Sequence, residues 1–156
     1  MSNSLNVKIK DISEEYHKNA TPGKGKYINE YKTDRELKEH KNEIRVGELL
    51  YNTFGGDIKV RKERNIENED DPDYEWNGKL WDLKNPSNEK RANDRMRKGL
   101  EQIETNPGGV IIEIPKAGVD LEEATRQVVN RYNISGKGPV DLLMLKNGVF
   151  EKILKL

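Results

Sequence analysis

The chain contains no cysteine. That absence removes disulfides, thiolate zinc sites and cysteine nucleophiles together. Histidine is nearly as scarce, with only His17 and His40, so a serine–histidine triad or a two-histidine ribonuclease site would have to recruit one of them. Charge of a single sign is also missing. The 28 Lys+Arg balance 28 Asp+Glu, which weakens nonspecific attraction to duplex nucleic acid. Apolar residues make up 33%, below the ~45–50% typical of soluble domains. No run approaches the ~18 apolar residues of a membrane span. The first 30 residues hold no apolar signal-peptide core. What the chain has in excess is charge, 36% of its residues against a typical ~25%. For 156 residues this implies one domain with a small core and a polar tail or long loops. Any chemistry then falls to carboxylates, lysines and a metal ion.

Residues 1–32 read as a polar, weakly ordered leader or linker. Thr21-Pro22-Gly23-Lys24-Gly25-Lys26 is a turn signal, and Asp11, Ser13, Glu14 and Glu15 can open a brief helix over 12–19. The remaining residues, 33–156, form the functional domain. Thr33 or Asp34 caps a helix running to Phe54, with Leu37, Ile44, Val46, Leu49, Leu50 and Phe54 as its apolar stripe and Gly55-Gly56 as its stop. Strands follow at 57–62, 73–76 and 79–84. Glu63–Asp71 is too polar for anything but a loop, and Asn77-Gly78 is a two-residue hairpin turn. A helix over 87–104, capped by Ser87, places Ala92, Met96, Leu100 and Ile103 on one face. Val110–Ile114 is continuously apolar and predicts a central strand buried on both faces. A helix over 120–132 precedes a hairpin of 140–145 with 149–154 across Asn147-Gly148. The order α-β-β-β-α-β-α-β-β suits an α/β fold, a mixed sheet with helices packed on it.

The segment that points to chemistry runs Pro72-Asp73-Tyr74-Glu75-Trp76-Asn77-Gly78-Lys79-Leu80-Trp81-Asp82-Leu83-Lys84. Strand period two puts Asp82 and Lys84 on one face, with Trp81 and Leu83 on the other. The hairpin returns Asp73 beside them. Two carboxylates and an ammonium thus converge, and hard oxygen ligands suit magnesium or manganese. Glu43 falls on the helical stripe of Val46, Gly47 and Leu50, and an inward glutamate needs a partner such as a metal or Lys84. Glu48 lies half a turn away and is solvated. Asp71 is an alternative ligand to Asp73, since residues 65–74 carry five carboxylates.

Pro72-Asp73 followed by Asp82-Leu83-Lys84 resembles the PD-(D/E)XK motif of restriction-endonuclease-like nucleases, with Glu43 where those proteins often carry a helical glutamate. A closer resemblance, over residues 34–154, is to nuclease toxin domains at the C-terminus of CdiA-type contact-dependent growth inhibition proteins and related polymorphic toxins. It rests on the helix ending in Phe54-Gly55-Gly56, the acidic loop, the strand Gly78-Lys79-Leu80-Trp81-Asp82-Leu83-Lys84, the helix bearing Gln102, the apolar strand and the closing hairpin. The resemblance implies a restriction-endonuclease-like fold. It also implies that Asp73 and Asp82 bind metal, that Lys84 is catalytic and that Glu43 is a fourth member. Asn85-Pro86-Ser87 and Gln102 match family positions near the site. The ion would be magnesium or manganese, with zinc a third candidate. The substrate would be nucleic acid, tRNA in preference to DNA. The toxin would be delivered within a larger secreted protein to a bacterial cytoplasm, and a cognate immunity protein would protect the producer.

The helix over 87–104 bears Lys90, Arg91 and Arg95, which with Gln102 form a candidate phosphate-tracking edge. Two other readings compete. A barnase-like or EndoU-like ribonuclease toxin would need no metal and would use His40 with the Lys/Arg helix. A non-enzymatic binding module of a phage or mobile element would use the acidic loop for a protein partner. His17 and His40 are expected at the surface, and Trp81 in the core.

Overall fold

The structure is a computed structural model that describes residues 9–67 and 69–156. Its eight strands form one sheet: β1 (Lys10–Asp11), β2 (Tyr27–Asn29), β3 (Ile58–Val60), β4 (Tyr74–Trp76), β5 (Lys79–Lys84), β6 (Pro107–Ile114), β7 (Asp141–Lys146) and β8 (Val149–Lys155). The order across the sheet is β1-β8-β7-β6-β5-β4-β3-β2. Pairing is mixed. β5, β6 and β7 run parallel, β4 and β8 are antiparallel to their inner neighbours, and β2 runs parallel to β3. The helices are α1 (Ser13–Lys18), α2 (Asp34–Glu39), α3 (Lys41–Thr53), α4 (Glu89–Gln102) and α5 (Leu121–Ser135). The α/β class and the predicted element order from residue 33 onward match this architecture, except that the first helix is two.

Alternation along the central strands builds two cores. Trp81, Leu83, Ile111, Leu143 and Leu145 face Val46, Leu50 and Phe54 of the α3 side. Val110, Ile112, Leu142 and Met144 face Ala92 and Met96 of α4 and Ala124 and Val128 of α5. Val110, Ile111 and Ile112 are wholly buried, as a strand covered on both faces requires. Asn77-Gly78 turns the β4–β5 hairpin with φ of 50° and 80°, the two left-handed residues of a type I′ turn. Gly99 lets α4 settle onto the sheet, because a Cβ there would lie 3.0 Å from Val110 Cγ1.

Three sequence expectations are revised. Residues 10–32, read as a weakly ordered leader with a brief helix over 12–19, do form that helix as α1, and they also supply both edge strands of the sheet and Ile12 and Tyr31 of the core. Edge strands of two and three residues carry too little alternation to be read locally; they are specified by β8 and β3, far along the chain. Residues 1–8 of that leader lie outside the described residues. The single helix predicted from Thr33 to Phe54 breaks at His40, which closes α2 and opens α3 with φ −113°. Thr33 caps α2 in a reciprocal box, accepting from Glu36 N while Glu36 Oε1 accepts from Thr33 N. Leu37 is 39% exposed and α2 buries no residue, so the apolar stripe begins only after the break. Asn88 rather than Ser87 caps α4, accepting from Arg91 N at 2.8 Å.

Candidate active site

A cleft of about 360 Å³ opens at one end of the hairpin. Its lining joins Asp73, Asp82 and Lys84 to Glu43 from the first turn of α3, Gln102 from the end of α4, and Arg61 and Asp71 from the loop between β3 and β4. Asp82 is 1% exposed. Lys84 Nζ lies 2.8 Å from Asp82 Oδ2, yet that oxygen accepts no aligned hydrogen bond. Asp73 Oδ2 accepts from the backbone N–H of Leu83 at 2.7 Å, which ties the two strands together at the carboxylates.

Burial is the first cause that pushes both carboxyls above the ordinary aspartate value, and for Asp73 the charge of Asp82 comes second. Asp73 is raised the further of the two. Two more carboxylate oxygens in the cleft are buried without a hydrogen bond, Glu43 Oε2 and Asp71 Oδ1. Among the described residues, no three His, Cys, Asp or Glu side chains are arranged to enclose an ion by themselves. An ion held here would draw on the carboxylate pair alone, and magnesium is a cation that is bound through as few as one or two carboxylates with waters besides.

The surrounding shell holds the pair in place. Arg61 lies beyond the end of β3; its backbone N–H donates to Asp73 O at 2.8 Å and its Nη1 to Pro72 O at 2.5 Å. The same guanidinium stands 3.5 Å from Asp71 Oδ1. Gln102 Oε1 accepts from Asp71 N at 2.6 Å, so this residue holds the acidic loop as well as lining the cleft. Tyr74, behind the site, donates from its hydroxyl to Glu43 O at 2.6 Å and fixes the start of α3. Asn85 donates to Glu113 at 2.7 Å and accepts from Asn42, bracing the strand end beyond Lys84.

Sequence reasoning placed Asp73, Asp82, Lys84, Glu43 and Gln102 together, and the structure brings them into one cleft. It does not bring Lys90, Arg91 or Arg95 into the lining. Arg91, Arg95, Lys98 and Gln102 follow one another at helical spacing along the cleft flank of α4. Lys90 lies about a quarter-turn off that line, toward solvent. His40 was expected at the surface. The break before α3 instead turns it into the cleft wall, its ring stacked on Tyr31 at 4.1 Å and 10°. Its ring nitrogens stand 3.7 Å from Glu43 Oε2 and 4.0 Å from Glu63 Oε2. Burial pushes the Tyr31 hydroxyl up to about 12. Arg61 was not foreseen at all. Trp76 and Trp81 are both buried, as expected for Trp81.

No family model matches this chain, and no curated protein is similar to it in sequence. One solved structure is similar in three dimensions. The fold is shared with a chain of the CdiA-CT/CdiI toxin and immunity complex from Burkholderia pseudomallei. The likeness covers 88% of this chain and 96% of that one, with a TM-score of 0.51 and 18% identity. Coverage is nearly complete on both sides, so the likeness is one of the whole fold rather than of a sub-motif alone. Among the described residues, no helix is long and apolar enough to cross a membrane.

Proposed function

We propose that the protein is a metal-dependent phosphodiesterase, a nuclease toxin of interbacterial competition that acts on RNA, tRNA foremost. The observation that carries this reading is the buried Asp73–Asp82 pair beside Lys84, with an Asp82 oxygen left without a hydrogen bond. Two carboxylates held together out of water are unfavourable until a proton or a cation joins them. Asp73 and Asp82 would hold a magnesium or manganese ion, which needs only one or two carboxylates and takes water and phosphate oxygens besides. The all-oxygen donor pair suits these ions better than zinc. Such an ion lowers the pKa of a ligated water and offsets charge developing on a phosphate. Lys84 Nζ is positioned to stabilise a negative phosphate oxygen, and Glu43 Oε2 is free to accept a hydrogen bond from the attacking water.

The toxin role draws on the fold shared with a CdiA-CT/CdiI complex chain, and the carboxylate–lysine cleft favours the toxin side of such a pair. It carries with it a cognate immunity protein, delivery within a larger secreted protein and action in the cytoplasm of the target bacterium. The choice of RNA comes from the sequence resemblance. The test is incubation of the purified protein with total tRNA and plasmid DNA in magnesium, manganese or zinc, with EDTA as control. Cleavage of tRNA that EDTA abolishes is expected; no cleavage under any condition refutes the reading. One observation favours a second reading: His40 stands in the same cleft as Lys84, which supplies a metal-free acid–base route, and full cleavage in EDTA would select it.

A further inference from the structure

We infer that the cleft takes one unpaired nucleotide at a time, with the Arg61 guanidinium on its phosphate; this rests on the phosphodiesterase reading above. The argument begins with depth. Asp82 is 1% exposed at the floor of a recess of about 360 Å³. Pockets that enclose a drug-sized ligand run from about 300 to 1,000 Å³, so this one is sized for a nucleotide and not for a base pair. A duplex is stiff over about 150 base pairs and presents its phosphates on a rigid exterior. It is ill suited to lowering a single phosphate to the floor of a narrow recess, whereas a single strand can turn one in.

The rim adds a charge argument. Glu63 lines the cleft, and Glu63, Glu67 and Glu69 are exposed on the loop above it. These carboxylates repel the phosphates that a second strand would bring over the opening. A protein with 28 basic and 28 acidic residues has no excess of cations to outweigh that repulsion.

Within the cleft, Arg61 and Lys84 are the only lysine or arginine residues in the lining. Arg61 is 8% exposed, and among the described residues its side chain donates one hydrogen bond, to Pro72 O. A guanidinium has five N–H donors in a planar fork that matches two phosphate oxygens. One edge of this fork is engaged, since Nη1 donates to Pro72 O and stands 3.5 Å from Asp71 Oδ1; Nε and Nη2, which make no hydrogen bond among the described residues, are left for a phosphate on the wall of a site for phosphodiesters. On the same wall, His40 stacked on Tyr31 offers an aromatic shelf against which an unpaired base can lie.

The experiment uses one oligonucleotide sequence, made in RNA and in DNA, presented as a single strand and as a blunt duplex with manganese. Wild-type kcat/KM is expected to favour the single strand on the order of 10²-fold, the cost of unpairing a base in the duplex. Arg61→Gln is then expected to reduce the slope of log KM against log salt by about 0.7, one phosphate contact on a single strand. Its melting temperature should fall by several degrees, the cost of the lost hydrogen bond to Pro72 O, while its manganese affinity stays at the wild-type value. Duplex cleaved as fast as single strand overturns the inference and leaves the phosphodiesterase reading intact. An unchanged salt slope in Arg61→Gln does the same. If Arg61→Gln does not melt cooperatively, Arg61→Lys decides: it keeps the charge but loses the fork, and KM should rise about tenfold. Unchanged KM, or loss of manganese affinity in that variant, would make Arg61 a clamp on Asp73 and overturn its assignment to substrate. No cleavage of any of the four substrates by the wild type refutes the phosphodiesterase reading itself and this inference with it.

Discussion

Replacing Asp82 by asparagine tests whether the buried pair exists for a cation. Asparagine keeps the side-chain volume, which matters at a site 1% exposed, because alanine would leave a void. In the metal-free protein the substitution removes an anion that burial and Asp73 disfavour, and gives Asp73 a neutral neighbour. An unsatisfied buried polar group costs about 1–3 kcal/mol. Against that stands the loss of the Lys84 ion pair, whose lysine is 23% exposed, worth about 1 kcal/mol. The balance lies between zero and about 2 kcal/mol in favour of the variant. At about 2–4 °C per kcal/mol for a chain of this length, its metal-free Tm should match or exceed the wild type by up to about 8 °C.

Manganese should reverse the order. A ligand that binds only the folded state adds about 2.7 kcal/mol at 100 times its Kd, which raises the wild-type Tm by about 5–11 °C. Asp82→Asn should show almost none of this shift and almost no cleavage. The pH dependence has a definite sign. Both carboxyls are raised above the ordinary 3.8, so the folded state holds their protons more tightly than the unfolded chain. Metal-free stability therefore falls as pH rises from about 3.8 through the raised folded values, and the variant should fall less. Thermal melts across pH, with and without manganese, measure all of this. An Asp82→Asn protein that is several degrees less stable without metal, yet shifts with manganese like the wild type, would refute the reasoning and move the ion elsewhere in the cleft.

Lys84→Ala should keep or tighten manganese binding, since a like charge beside the ion is gone, while kcat drops by on the order of 10²–10³; calorimetry beside the cleavage assay separates the two. Arg95→Ala should raise KM in a salt-dependent way, whereas Lys90→Ala, off the cleft flank of α4, should leave KM unchanged, and equal effects would dismiss the stripe. A chain truncated to residues 33–156 loses both edge strands with Ile12 and Tyr31. Burial of those two side chains alone is worth about 3–6 kcal/mol, comparable with the whole stability of many domains. Circular dichroism should therefore show no cooperative melt, and a wild-type Tm would show the segment to be dispensable. Cells expressing the wild-type chain alone should stop growing, and cells expressing Asp82→Asn should not.

What the sequence made legible were the features whose signal is local. The β4–β5 hairpin follows from Asn77-Gly78, the central strand from an unbroken apolar run, and the shared face of Asp82 and Lys84 from strand period two. Features carried by distant contacts did not show. β2 is three residues that acquire strand form from β3 thirty residues on. Tyr31 is one aromatic in a polar stretch until His40 stacks on it. Arg61 is one of 28 basic residues, and only the return of Pro72-Asp73 past it gives its fork a place. The break at His40 had a partial signal, since Leu37 and Ile44 are seven residues apart with no apolar residue between them.

The same register explains why the carboxylates stay together although electrostatics would disperse them. β4 pairs Tyr74 with Trp81, and one step further along that antiparallel register sets Asp73 opposite Asp82. Tyr74 and Trp81 occupy the other face and are buried in the α3-side core. A slip of one residue in either strand would turn its carboxylate into the α3-side core and lift its aromatic out of it, and burial of that aromatic is worth several kcal/mol. Packing on one face thus enforces a strained pair on the other. Lys84 relieves it only in part: its ammonium, 2.8 Å from one oxygen of Asp82 and 23% exposed, favours the ionised carboxyls, yet burial still leaves both raised. A proton relieves it, and under the proposed function so would a compact cation entering from the open side of the cleft, held in fixed geometry by the apolar area packed behind the pair.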